Sequence, residues 1–285
     1  RYKHPKNHPV LDSDWGFSKY VSSLKDIAWR QLGTSGSGNH FVEFGAFHLK
    51  EERFGVEPGE YLALVSHSGS RGSGAKIAHH FSQVARKKRE NLPRKLHHLA
   101  WLSLDEEEGK EYWAAMELMG EYASANHYLI HRDIAKEVGG SVLFQVENHH
   151  NFAWKEEHDG KELVVHRKGA TPAGKGVLGY IPGTMIAPGF LVEGLGNPES
   201  LHSCAHGAGR VMSRKAARQK ITGNGLQHLT QKHGVTLLDA GLDEAPLAYK
   251  DIHEVMSAQQ DLVKVIGRFE PKIVKMAPDG EKPED

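Results

Sequence analysis

At 285 residues with 36 basic against 36 acidic side chains, the chain can bury a large core and carries no global field to attract nucleic acid. Its composition is that of an ordinary globular protein rather than a disordered one, and one domain over 1–285 is expected. The single cysteine, Cys204, excludes an intrachain disulfide and a cysteine-built zinc knuckle, and fits a reducing compartment.

No apolar run reaches the roughly 18 residues that suggest a membrane span. The opening Arg1-Tyr2-Lys3-His4-Pro5-Lys6 lacks the apolar centre of a signal peptide, so a cytoplasmic protein is expected. It starts on arginine, and residues upstream of Arg1 are expected. The first chemical landmark is Gly33-Thr34-Ser35-Gly36-Ser37-Gly38-Asn39-His40, a glycine-rich loop that frees backbone to wrap an anion. It lacks the preceding strand of a dinucleotide fingerprint; its useful feature is the adjacent His40.

Residues 61–66, Tyr-Leu-Ala-Leu-Val-Ser, predict a buried strand that ends at His67 in a Ser-Gly-Ser-Arg-Gly loop. His79-His80 and His97-His98 lie in basic, amphipathic surroundings and read as solvated helix faces. Ser103 to Glu106 matches a capping box, and Tyr112, Met116, Met119, Ala123, Ile130 and Ile134 recur near helical spacing, predicting a helix over 105–136 whose stripe packs a core. Two more strands are predicted at 142–146, before Glu147-Asn148-His149-His150-Asn151, and at 163–166, before Arg167-Lys168-Gly169-Ala170. Three strands would then deliver polar clusters from their ends.

Residues 169–176 have the outline of a phosphate-binding P-loop, but Gly176 replaces the metal-binding hydroxyl and Pro172 spoils the amide cradle. A helix is predicted after Gly209 around Ala216-Ala217, another over 251–266, and a frayed tail over 279–285. His202 and His206 are four apart, yet the glycines oppose helix there and no zinc-protease motif is present.

His206, inside Ser203-Cys204-Ala205-His206-Gly207-Ala208-Gly209-Arg210, is the leading candidate nucleophile. A neutral imidazole attacks phosphorus near pH 7, and small residues beside it let backbone amides approach phosphate oxygens. His40, His67 and His150 stand beside small polar residues and offer imidazole ligands to manganese, iron, cobalt, nickel or zinc. His149 and His150 would point to opposite faces of an extended chain, so only one would serve.

Taken in order, Gly38-Asn39-His40-Phe41, His67-Ser68-Gly69-Ser70-Arg71-Gly72, His149-His150-Asn151, Arg167-Lys168-Gly169-Ala170, Pro182-Gly183-Thr184-Met185, His206-Gly207-Ala208-Gly209-Arg210 and Ala248-Tyr249-Lys250-Asp251 resemble the RtcB family from about residue 31 to Lys275. The resemblance implies an α+β fold of mixed sheets flanked by helices, with the active site at strand ends. It implies GTP, two manganese ions and a guanylylated histidine matching His206, with His40, His67 and His150 as metal ligands. Guanylate contacts would come from Asn39, His40, Phe41, Val42, Glu43, His150, Asn151, Pro182, Gly183, Thr184, Met185, His206, Gly207, Ala208, Gly209 and Lys275. Arg71, Arg210 and Arg214 are candidates to grip RNA phosphates, since guanidinium matches phosphate in bidentate fashion.

The implied activity joins an RNA 2′,3′-cyclic phosphate or 3′-phosphate to a 5′-hydroxyl in tRNA splicing or RNA repair, with RNA ends as partners, an activating protein as a further one, and a monomeric enzyme. The family's aspartate and bridging cysteine, from an Asp-x-x-Cys-Gly segment, do not occur in this sequence, and an N-terminal portion is expected to carry them. Gly189 stands where the family has a serine that contacts the guanylate. An RNA-end-binding homologue without ligase activity and a metal-dependent cyclic phosphoesterase are the rival readings.

Overall fold

A computed structural model describes residues 6–278, in two compact units. The predicted tail over 279–285 lies outside the described residues. The first unit runs up to Gly36 and then over His67–Val138; the second comprises Ser37–Ser66 and the chain from Gly139 on. The architecture is mixed α and β, with largely antiparallel sheets.

The first unit is helical: α1 Lys19–Ser22, α2 Lys25–Gln31, α3 Arg71–Lys88 and α4 Glu107–Glu137, with 3-10 turns at Pro9–Leu11 and Arg94–Leu99. Helix α3 buries Ser73, Ile77, Phe81 and Ala85, one residue every four, so a single stripe faces the core. Against it α4 buries Ala115, Leu118, Met119, Tyr122, Ala125 and Leu129, and α1 and α2 add Val21 and Ala28. The Tyr122 hydroxyl donates to the Ala28 carbonyl at 2.7 Å, joining α4 to α2 while its ring meets Trp15 edge-on.

Helix α4 matches the helix predicted over 105–136, and Met119, Ala123 and Ile130 are buried. The capping box differs. Glu106, not Ser103, is the N-cap, and Ser103 Oγ accepts from Asp105 N in a turn ahead of the helix. His80 also departs from a solvated reading: its ring stacks on Tyr20 with centroids 3.8 Å apart.

The second unit is built on β1 Phe41–Leu49, β2 Gly59–His67, β3 Asn151–His158, β4 Lys161–Lys168, β5 Ala170–Pro172, β6 Leu178–Ile181, β7 Gly189–Gly194, β8 Ser203–Ala205, β9 Thr236–Asp239 and β10 Val263–Met276. Its main sheet has the order β2-β1-β10-β7-β6, with β9 parallel to β10. β3 and β4 form a hairpin, and β5 pairs with β8. Helices α5 Arg214–Lys220, α6 Gly223–Lys232 and α7 Ile252–Ser257 complete it. The 14-residue β10 is the organiser, antiparallel to both β1 and β7.

The strand signals at 61–66 and 163–166 correspond to β2 and β4, but β2 is not the buried strand expected: it lies at the sheet edge with no buried residue and Leu62 exposed. Residues 142–146 are not a strand: they run as extended chain without a ladder, Phe144 packing its ring against Phe47 and Phe54. Phe144 and Val146 pack against the sheet core without joining it, while Val142 and Leu143 stay exposed. The helix predicted over 251–266 stops at Ser257. After a turn, Val263–Ile266 alternate into β10, where Val263, Lys264 and Val265 pair with β7.

Candidate functional site

The proposed nucleotide residues all belong to the second unit. Asn39 and His40 lead into β1, where Val42 stands opposite Lys275 of β10, and Ala277 N donates to the His40 carbonyl at 3.3 Å. Pro182–Met185 form the turn between β6 and β7, closed by the pairing of Thr184 with Ala187. Gly183 is held there by space: a Cβ on it would fall 2.3 Å from the Pro188 carbonyl. Ala208 N donates to Pro182 O at 3.1 Å, bringing the turn after His206 to this hairpin.

His206 follows β8, and its ring stacks on His150 with centroids 5.0 Å apart and planes 19° from parallel. Its Nδ1 is buried and meets no hydrogen-bonding partner among the described residues. Burial holds the imidazole pKa below its ordinary value; the nearby Gly169 backbone opposes this, and the nearby Lys168 charge adds to it. The ring is therefore neutral at pH 7, the form that can act as a nucleophile.

Glu43, on β1, is 6% exposed, and burial raises its carboxyl pKa to about 8. The Tyr180 hydroxyl is buried close by; burial first and then the Glu43 charge push its phenol well above the usual value. Its hydroxyl and Asn39 Oδ1 are likewise buried without a hydrogen-bonding partner among the described residues. A side chain at Gly189 would require Tyr180 to shift, because a Cβ there would lie 1.9 Å from the Tyr180 hydroxyl.

His67 ends β2 and Arg71 opens α3; both belong to the first unit, where Arg71 Nε donates to Thr34 Oγ1 at 3.1 Å. His150 directly precedes β3 rather than following a strand. Among the described residues no group of three His, Cys, Asp or Glu gathers to hold a metal, so the residues here do not by themselves compose a complete ion site. Arg210 engages all three guanidinium nitrogens while staying partly exposed: Nε with Met212 O, Nη2 with Asp243 O, and Nη1 with Glu244 and the Tyr249 hydroxyl. Arg214 pairs with the same buried carboxylates, Asp243 and Glu244.

The model of the family described as tRNA-splicing ligase RtcB matches residues 15–276. The chain belongs to the RtcB family. It is similar to RNA-splicing ligase RtcB of Escherichia coli strain K12, 36% identical over 268 residues that cover 88% of this chain and 62% of that protein. It is also similar to tRNA-splicing ligase RtcB of Methanococcus maripaludis, at 35% identity with 88% and 59% covered, and of Archaeoglobus fulgidus, at 34% with 87% and 60%. This chain thus spans about three fifths of the length of the relatives it matches.

In this RtcB-family chain, three supports of His206 escaped sequence reasoning. Arg167, 2% exposed, forms two bonds to Glu156 at 2.6 and 2.9 Å, donates to Leu201 O and Ser203 Oγ at 2.8 Å each, and lies over the Trp154 ring. Gln259, also buried, accepts from Ala205 N at 2.9 Å, directly before His206. Asn148 accepts from Tyr180 N and donates to Thr171 Oγ1, fixing the segment that carries His150. Arg167 stood inside a noted motif, but its partners lie 11 to 36 residues away, and no local spacing announces them. Among the described residues no helix is long and apolar enough to cross a membrane.

Proposed function

We propose that this protein is a GTP-dependent RNA ligase that joins 2′,3′-cyclic phosphate or 3′-phosphate ends to 5′-hydroxyl ends. The observation that carries the reading is the neutral, half-buried His206 with an unpaired Nδ1, stacked on His150; in this reading it is the nucleophile. A nitrogen of His206 attacks the α-phosphorus of GTP, a phosphorus–nitrogen bond forms, and pyrophosphate leaves. A cyclic phosphate end is first opened by water to a 3′-phosphate. That phosphate displaces His206 and takes GMP, and the 5′-hydroxyl then attacks it, forming the phosphodiester and releasing GMP.

Backbone and side chains from Asn39 to Glu43, Asn151, Pro182 to Met185, Gly207 to Gly209 and Lys275 hold the guanylate in this reading. The unpaired Asn39 Oδ1 supports a polar ligand at that place, because buried polar atoms are nearly always partnered. Manganese, which family membership implies, supplies charge neutralisation at phosphate oxygens when bound; metal binding is proposed for His40 and His150, and for His67 in the other unit. Arg71, Arg210 and Arg214 meet RNA phosphates, the latter two oriented by Asp243 and Glu244. The chain acts as one catalytic domain, as a monomer in the cytoplasm, with RNA ends as substrates and an activating protein as a further partner.

The test is incubation of the full-length protein with GTP and manganese, followed by intact mass measurement of wild type and His206→Ala. Wild type gains one guanylate and the variant none. Absence of that gain in wild type overturns the ligase mechanism; if cyclic phosphate ends are still bound or opened, the rival readings take its place.

A further inference from the structure

The chain as a whole is neutral, yet between Arg71 and His98 eight arginines and lysines face a single carboxylate, Glu90. Helix α3 itself, 18 residues long, contains no Asp or Glu. Its exposed side carries Lys76, His79, Gln83, Arg86 and Lys87, spaced three and four apart so that they share one face about 17 Å long end to end. The 3-10 turn that follows presents Arg94 and Lys95, both exposed.

Two ordinary explanations account for part of this charge. Basic residues in the last turn of a helix favourably meet its dipole, which covers Arg86 to Lys88. Lys88 and Arg89 are also neutralised by Glu106 and Glu108 at the start of α4. Neither explains Lys76, Arg94 and Lys95, and among the described residues no carboxylate forms an ion pair with Arg86, Lys87, Arg94 or Lys95. Beside this cluster Trp101 is 53% exposed, with the Arg89 guanidinium 4.8 Å from its ring centroid. An exposed indole offers a surface on which a base can stack, and cations flanking an aromatic face are the pattern that binds single-stranded nucleic acid without sequence preference.

We propose that the exposed side of α3, the turn at Arg94 and Lys95, and Trp101 form a track for single-stranded RNA in the first unit, outside the nucleotide residues. The cations neutralise consecutive phosphates and Trp101 stacks on a base. RNA as the occupant rests on the ligase reading.

The experiment is fluorescence-anisotropy titration of a labelled single-stranded RNA oligonucleotide onto the full-length protein at several salt concentrations. Replacing Arg86, Lys87, Arg94 and Lys95 together by Gln should lower the slope of log affinity against log salt by about 3, at roughly 0.7 for each phosphate no longer neutralised. Trp101→Ala should weaken binding about tenfold with the salt slope unchanged. A charge-matched control converts four exposed lysines elsewhere, Lys50, Lys136, Lys161 and Lys232, to Gln and should leave the slope near wild type.

Intact-mass measurement of His206 guanylylation, run on the same proteins, reads the ligase proposal separately from RNA affinity. The track is overturned if the cluster variant binds RNA as wild type does, or if the control set weakens binding equally. Wild type that takes up GMP but whose RNA affinity ignores the cluster refutes the track alone. Wild type that binds RNA through the cluster but takes up no GMP refutes the ligase alone.

Discussion

Asn126 and His206 show two opposite ways of burying a polar side chain. Asn126, fully buried in the first unit, accepts from Gly33 N and Thr34 N at 2.7 and 3.1 Å and donates to Ser68 Oγ and to the carbonyls of Thr34 and Gly69. Within that unit it ties the glycine-rich loop to the segment after His67, and both of its side-chain polar atoms are used. In the second unit His206 Nδ1, Asn39 Oδ1 and the Tyr180 hydroxyl are buried with no such partner. A satisfied amide locks a scaffold, whereas unpaired atoms keep hydrogen-bonding capacity for a ligand at the cost of stability.

The largest expected effect breaks the second case. His206→Ala should lower guanylylation by about a thousandfold or more, to the background of the mass measurement, since no other group replaces a nucleophile. Its thermal stability should stay near wild type, because the substitution removes an unpaired buried nitrogen rather than a network. A large loss of stability would instead make His206 part of the scaffold.

Next comes Arg167, which behaves as Asn126 does but sits in the second unit. Arg167 is buried with four charge-assisted or neutral hydrogen bonds, two to the partly exposed Glu156, so Arg167→Met should cost about 3 kcal/mol in urea denaturation. Glu156→Gln/Arg167→Met should recover part of that loss. The Cys204 thiol, raised to about 11 chiefly by burial, packs on the same short strand and should become reactive to thiol reagents in the single variant as that strand loosens.

Third, Asn126→Ala should cost about 2 kcal/mol by leaving Gly33 N and Thr34 N with no acceptor from this side chain. Asn126→Asp keeps the acceptor but removes the amide donor, and should be intermediate. Equal stability of all three proteins would sink the contrast.

Local signals served well where an element is defined by its own residues. The apolar run before His67 became β2, and the Met and aromatic stripe became the core face of α4. They failed where the same pattern has a different partner. Val142 to Val146 reads as a strand, but only Phe144 and Val146 pack, against a sheet the run does not join; after Ser257, Val263 and Ile266 hold helical spacing while Val263 and Val265 hold the strand's alternation. The site followed the same division. Ordered motifs pointed to His206 and to the turn at Pro182, while Glu156, Gln259 and Asn148 act through contacts between elements far apart in sequence. The unpaired atoms could not be read at all, since only packing decides which polar group lacks a partner.

Glu43 gives the smallest and most diagnostic effect. In the unfolded chain its carboxyl ionises near 4.5, but burial raises it to about 8 in the fold. Between those values the folded protein holds a proton that the unfolded chain has released, so stability falls as pH rises across that window and levels off above it. Wild type should therefore lose about 1–2 kcal/mol between pH 6 and pH 8.5, after allowance for solvent relaxation around the buried group. Glu43→Gln, always neutral, should match wild type near pH 5 and be the more stable protein at pH 8.5 in thermal melts without nucleotide. Saturating GTP should flatten the wild-type slope if N–H donors of the base meet this carboxyl and favour its ionised form. A wild-type slope that GTP leaves untouched would place Glu43 with the scaffold, on Asn126's side of the contrast.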